Sequence, residues 1–120
     1  MRNHPSVVAR MRTVMPAQCV ISTITSYELF TGIAKCKDPT REQSKVDLLL
    51  NTLIELVFDS VAARAAGSIR GLLESQGQMI GPYDVLLAGQ ALAGGRVLVT
   101  GNTREFQRVP QLLIENWQIT

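Results

Sequence analysis

The sequence predicts an α/β fold with parallel strands, and three observations carry that reading. Helix-like and strand-like segments alternate along the chain, the order in which crossover helices connect parallel strands. No low-complexity linker or internal repeat interrupts the alternation, which favours a single domain over residues 1–120 rather than two modules. With 46% hydrophobic and 18% charged content, 120 residues can bury one core and hardly two.

Each element has its own justification. Residues 5–12 place Val7, Val8 and Met11 at helical spacing behind Pro5, a residue suited to a first turn, and Pro16 ends that helix. Cys19-Val20-Ile21 reads as a short buried strand. The hydroxyls of Ser22, Thr23 and Thr25 offer caps for a helix running to about Cys36. Asp38-Pro39 turns into a second helix with Val46, Leu49, Leu50, Leu53 and Ile54 on one face, so the two helices form a hairpin. Leu56-Val57-Phe58 is the second strand. Asp59 or Ser60 then caps an alanine-rich helix that Gly77 closes in the left-handed conformation. Pro82 opens a helix ending at Gly94-Gly95, residues 96–100 form the clearest buried strand, and Leu113-Ile114 with Trp117 makes a last edge strand.

Several function classes fall away on composition. The longest apolar run, Val85 to Ala88 with Ala91 and Leu92 beyond it, is far short of the roughly 20 residues a membrane helix needs. The N-terminus has no apolar stretch and no small-residue cleavage site, so the cytoplasm is the expected compartment. Cys19 and Cys36 lack CxxC spacing and read as two buried, reduced thiols rather than zinc ligands. His4 is the only histidine, which removes most Ser-His, Cys-His and His-based acid/base mechanisms. Neither a GxxxxGK[ST] nor a GxGxxG loop is present. A net charge of +2 permits contact with a polyanion without requiring it. Carboxylates and a metal remain as the source of reactive chemistry.

Of the ten acids, seven have ordinary structural duties. Asp38, Glu42 and Asp59 sit at turns, first helical turns and caps; Asp47 and Glu74 lie on polar helix sides; Glu55 and Glu115 border strands, where solvent exposure is the simplest account. Glu28, Asp84 and Glu105 stand among would-be core residues, where a carboxylate is costly without a cation or a partner. An acid in the first turn of a helix is also favoured by the helix dipole, so capping alone accounts for Asp84, and Asn102-Thr103 equally fits a turn and a helix cap. However, Asp84 shares a face with Ala88 and Ala91, small residues suited to packing against a sheet. Asn102 and Glu105 follow the strand ending at Thr100, and Glu28 follows the strand ending near Ile21, so all point to the rim beyond the carboxyl ends of parallel strands.

Three blocks carry a resemblance: Ser22-Thr23-Ile24-Thr25 leading to Tyr27-Glu28-Leu29-Phe30-Thr31-Gly32; Ile80-Gly81-Pro82-Tyr83-Asp84; and residues 98–106 followed by Val109-Pro110. In this order and over nearly the whole chain, the sequence resembles the VapC-type PIN-domain ribonuclease toxins. The resemblance implies a three-layer α/β/α domain that cuts RNA with Mg²⁺ or Mn²⁺, forms a homodimer and is silenced by a VapB-like antitoxin. Glu28 matches the acid of the family's E-L-x-x-G motif and Asp84 that of its G-x-x-D segment. Asn102 falls where members carry Asp or Asn, Glu105 just before the family's phenylalanine, and Thr100 at the strand-end hydroxyl. Gly101 stands where a larger residue is common. Glu28, Asp84, Asn102 and Glu105 are thus the expected metal ligands and, with Thr100, the catalytic set. Arg104 and Arg108 are the arginines best placed near that rim for RNA.

The front departs from the family, which opens with a hydrophobic strand ending in an Asp-Thr-Asn-like motif. Met1-Arg2-Asn3-His4-Pro5 resembles the family's sequence after that strand. The expectation is a truncated start lacking the first strand and its Asp, with weak or absent cleavage until the strand is restored. Two other readings stand beside the nuclease: a non-catalytic fragment retaining antitoxin binding or dimerisation, and a phosphohydrolase using the same carboxylate-metal chemistry on a smaller substrate.

Overall fold

The structure, a computed structural model, describes residues 19–116. The helix expected over residues 5–12 with its Pro16 stop, His4, and the Trp117 end of the last strand lie outside the described residues. The chain divides between Val57 and Phe58 into two compact units.

The first unit runs through β1 (Val20–Ser22), α1 (Thr23–Lys35), α2 (Pro39–Thr52) and β2 (Ile54–Leu56). Ser22 ends the strand and caps the helix, its Oγ accepting from the Ile24 N–H at 3.0 Å. Asp38 caps α2 through the Arg41 N–H at 3.2 Å, with Pro39 in the first turn. The two helices form the expected hairpin, closing over Ile21, Leu29 and Val46 with Ile33, Leu49, Leu50 and Leu53 packed around them. β1 and β2 are parallel, with Ile21 opposite Glu55.

Two expectations shift here. The second strand lies at Ile54–Leu56 rather than 56–58, because α2 stops at Thr52 and the chain becomes extended at Leu53. Ile54 is therefore a strand residue, 56% exposed, and no longer part of the α2 face. The Cys19 and Cys36 thiols are free and half-buried rather than buried.

The second unit contains α3 (Ser60–Ser75), α4 (Pro82–Ala93), β3 (Leu98–Val99), α5 (Thr103–Phe106) and β4 (Ile114–Glu115). Asp59 caps α3 through the Ala62 N–H at 2.9 Å. Both long helices end in the same motif. Gly77 and Gly95 have φ of 65° and 63°, and Gln78 and Arg96 donate back to the carbonyls of Leu73 and Ala91 at 2.8 and 2.9 Å. The core gathers Ile69, Leu73, Ile80, Val85, Ala88, Phe106 and Val109.

α3 and α4 pack most closely where their facing residues are small. Ala62, Ala66, Ile69 and Leu73 make one stripe, and Val85, Ala88, Gly89 and Ala91 the other. At Gly89 the approach is tightest: an added Cβ would stand 2.5 Å from the Ala66 backbone N. Residues 96–100 are not a buried strand as expected. The ladder is only Leu98–Val99, parallel to Ile114–Glu115, and Val97 and Val99 are exposed. Pairing on one side among the described residues leaves the other edge of β3 without a ladder partner. After α5, Val109-Pro110-Gln111-Leu112 turns with Gln111 at φ 68°, a region where an L side chain is strained.

Two substitutions test this packing. Gly89→Ala should lower stability by roughly 1–3 kcal/mol in urea denaturation, since the methyl meets backbone rather than a flexible side chain. Gln111→Gly should raise it by up to about 1 kcal/mol by relieving the left-handed strain, visible as a higher urea midpoint with the same slope.

Candidate metal centre

The polar groups of the second unit converge at the start of α4. Pro82 places Asp84 at the third helical position, where free amides and the helix dipole favour an acid. Opposite it lies α5, whose N-cap Asn102 makes no side-chain cap bond. Its amide instead makes a short hydrogen bond to Glu105 Oε2. The other oxygen of Glu105, Oε1, accepts from the Gly81 backbone N–H at 2.8 Å. Thr100, just past the end of β3, accepts from the Asn102 backbone N–H at 3.0 Å and so fixes the turn between strand and helix.

Gly81 has an ordinary extended backbone, φ −56° and ψ 149°. Its lack of a side chain serves space: a Cβ there would stand 3.1 Å from Asp84 Oδ2 and 3.8 Å from Glu105 Oε1. Both carboxylates border that small gap. The Glu105 carboxyl is held below its ordinary value of 4.5, first by the Asn102 amide, then by the Gly81 N–H, with smaller contributions from the hydrogen-bonded Asp84 carboxyl and the Arg108 charge; partial burial opposes them. Two carboxyl groups this close are compatible when a proton or a cation lies between them. Carboxylate, amide and hydroxyl oxygens form the donor set of a hard divalent cation, so Asp84, Glu105, Asn102 and Thr100 fit Mg²⁺ or Mn²⁺. Among the described residues, neither unit by itself gathers three His, Cys, Asp or Glu side chains in a group that could hold a metal ion.

The structure thus brings four of the sequence-derived candidates together. Glu28 is on α1 of the first unit, half-buried between exposed Tyr27 and buried Leu29. Arg104 is exposed on α5. Arg108 donates from Nη1 to the Met79 carbonyl at 2.8 Å.

Two participants escaped the sequence reading. Gly81 contributes a backbone N–H and an absence of side chain, neither of which leaves a signature beyond its place in the Gly81-Pro82-Tyr83-Asp84 block. In the first unit, Glu55 is no idle strand-edge acid: it makes a short hydrogen bond to the hydroxyl of buried Ser26. That pair lies in an open groove of about 510 Å³, lined also by Thr23, Tyr27, Phe30, Thr31 and Ala34. Phe30, on the same helix as Ser26, is 44% exposed there.

An α/β chain with clustered oxygen donors just beyond a parallel strand has the layout of a carboxylate-based metal site, and its sequence matches the PIN domain model over residues 2–112. The chain belongs to the PIN-domain family, among its VapC-type members. It is 35% identical to a tRNA(fMet)-specific endonuclease VapC of Shigella flexneri and 37% identical to one of Salmonella typhimurium, each over 97% of this chain and 88% of the relative. The solved structure of DNA-bound VapBC from Salmonella typhimurium matches with a TM-score of 0.88 at 37% identity, covering 94% of this chain and 85% of that one. The expected PIN-like α/β fold is thereby established. No helix among the described residues is long and apolar enough to cross a membrane.

The lowered Glu105 value fixes the sign of a pH effect. A carboxyl whose folded-state value is depressed stabilises the fold above its unfolded value, and that contribution is lost as pH falls from about 4.5 through the folded-state value. In chelator-treated buffer, Glu105→Gln should therefore be less stable than the parent at about pH 7, with the gap closing as the pH falls below about 4.5 in urea titrations.

Proposed function

We propose that this chain is a metal-dependent endoribonuclease of a toxin–antitoxin pair, acting on RNA in the cytoplasm with Mg²⁺ or Mn²⁺. The observation that carries the reading is the Asp84–Glu105 pair at Gly81, joined by Asn102 and Thr100 beyond a parallel strand. The VapC relatives, named as endonucleases and ribonucleases, support it. The family motif adds Glu28 as a further metal-site carboxylate. A VapB-like antitoxin as partner draws support from the likeness to the VapBC structure. The homodimer, and the reading of residues 1–120 as one domain, rest on the family resemblance and on the family match across residues 2–112.

Each residue then has a task derived from its surroundings. Two donors hold Glu105 ionised at neutral pH, so it offers a carboxylate without first losing a proton. Asp84 supplies a second carboxylate from the first turn of α4. Thr100 and Asn102 set the turn from which Glu105 reaches back. The chemistry that Mg²⁺ or Mn²⁺ supplies in such a donor set is Lewis acidity toward a water and a phosphate oxygen. Arg104 is placed to meet the RNA backbone, its charge free of the core.

The test is Mg²⁺-dependent cleavage of structured RNA by this chain and by a version carrying a family-like first strand, each beside its Asp84→Asn and Glu105→Gln variants. Cleavage should vanish with chelator and fall on the order of a hundredfold in either variant, with the circular dichroism spectrum unchanged. Chelator-resistant cleavage, full activity in both variants, or faster turnover of a small phosphate ester than of RNA would overturn the reading.

A further inference from the structure

Residues 79–81 lie against residues 105–109 through three successive contacts. The Met79 carbonyl accepts from Arg108 Nη1 at 2.8 Å. Ile80 points the other way, 5% exposed, into the core that contains Phe106 and Val109. The Gly81 N–H donates to Glu105 Oε1 at 2.8 Å. The next residue, Pro82, opens α4, so this segment determines where that helix begins and therefore where Asp84 stands.

The segment's three ties are unequal. Ile80 anchors by apolar burial, which fixes depth but leaves rotation about the segment's own axis open. The polar contacts on either side resist that rotation, and only one of them, Arg108 to Met79, involves no proposed metal ligand. The guanidinium is suited to this: it stays charged, and one N–H to a carbonyl is a charge-assisted bond. Arg108 also hydrogen-bonds its backbone N–H to the Glu105 carbonyl at 3.0 Å, so the side chain that grips Met79 starts from the turn that carries Glu105.

We propose that Arg108 is a positioning residue: by holding the Met79 carbonyl it sets the Gly81 N–H on Glu105 and the start of α4, and thereby the spacing of the Asp84 and Glu105 carboxylates. The inference rests on the metal-site reading above. It gives Arg108, one of the two arginines best placed near the rim for RNA, a task within the protein itself. Residues that orient ligands without touching the metal commonly change its affinity by about 10–100-fold when removed.

Mn²⁺ alone, titrated by electron paramagnetic resonance, and exchange of the Gly81 amide proton by NMR test this without RNA. Arg108→Ala should weaken Mn²⁺ binding by about tenfold and speed Gly81 exchange by a similar factor. Arg108→Lys keeps a long, charged side-chain donor and should restore part of both; unchanged melting of each variant shows that the fold is intact. Tighter Mn²⁺ binding in Arg108→Ala with unchanged Gly81 exchange would mean that Arg108 acts on the site only through its charge, which repels the cation, and would overturn the proposal. So would unchanged Mn²⁺ affinity and Gly81 exchange in Arg108→Ala accompanied by a raised KM for RNA, the pattern of a substrate contact. If the parent chain bound no Mn²⁺, the metal-site reading would fail, while Gly81 exchange would still decide whether Arg108 sets that amide.

Discussion

Glu105 cannot sit where it does without donors on both of its oxygens, and the corner of the second unit follows from that requirement. The Gly81 N–H and the Asn102 amide come from opposite sides. Meeting both fixes the segment before α4 and the turn after β3 against the same carboxylate. A carboxylate left without these partners, beside a second carboxyl, would take up a proton or swing to solvent. With them it stays ionised and in place, and Asp84 is held beside it by the helix whose first residue follows Gly81.

The scaffold behind this corner is built to be rigid rather than large. α3 and α4 approach through alanine and glycine, so backbone lies near backbone and little side-chain freedom remains at the interface. Phe106 fills the core directly after Glu105, anchoring α5 from beneath while Glu105 turns outward. A helix of four residues has little stability of its own. Its position therefore depends on Phe106 below and on the Gly81 and Met79 contacts at its side.

How much of this was legible in the sequence varies with the kind of interaction. Local signals read well: Ser22, Asp38 and Asp59 cap the helices expected of them, and Gly77 takes the predicted left-handed turn, because capping depends on a few neighbouring residues. Strands read less well. The pattern of residues 96–100 looks like a buried strand, yet only Leu98 and Val99 pair, since strand length is set by partners distant in sequence. Asp84, Asn102 and Glu105 were identified by residue type and motif, whereas the donors that organise them were not. The Gly81 N–H and the Met79 carbonyl are backbone groups, identical in every residue that could stand there. Glu55 was hidden for a similar reason: alternation along a strand says which face it takes, not that Ser26 waits across from it.

Gly81 also separates two demands that most positions combine. Its backbone angles are ones any L-residue adopts, so a side chain would not disturb the local conformation. The intrusion would fall on Asp84 and Glu105 instead, which would have to give by a few tenths of an ångström. In a library of random substitutions, small residues at this position would yield chains that fold, express and resist proteolysis while carrying a misfitted acidic corner. Position 81 is thus a place where the acidic corner can be lost while the body of the protein is kept, together with whatever its other surfaces bind.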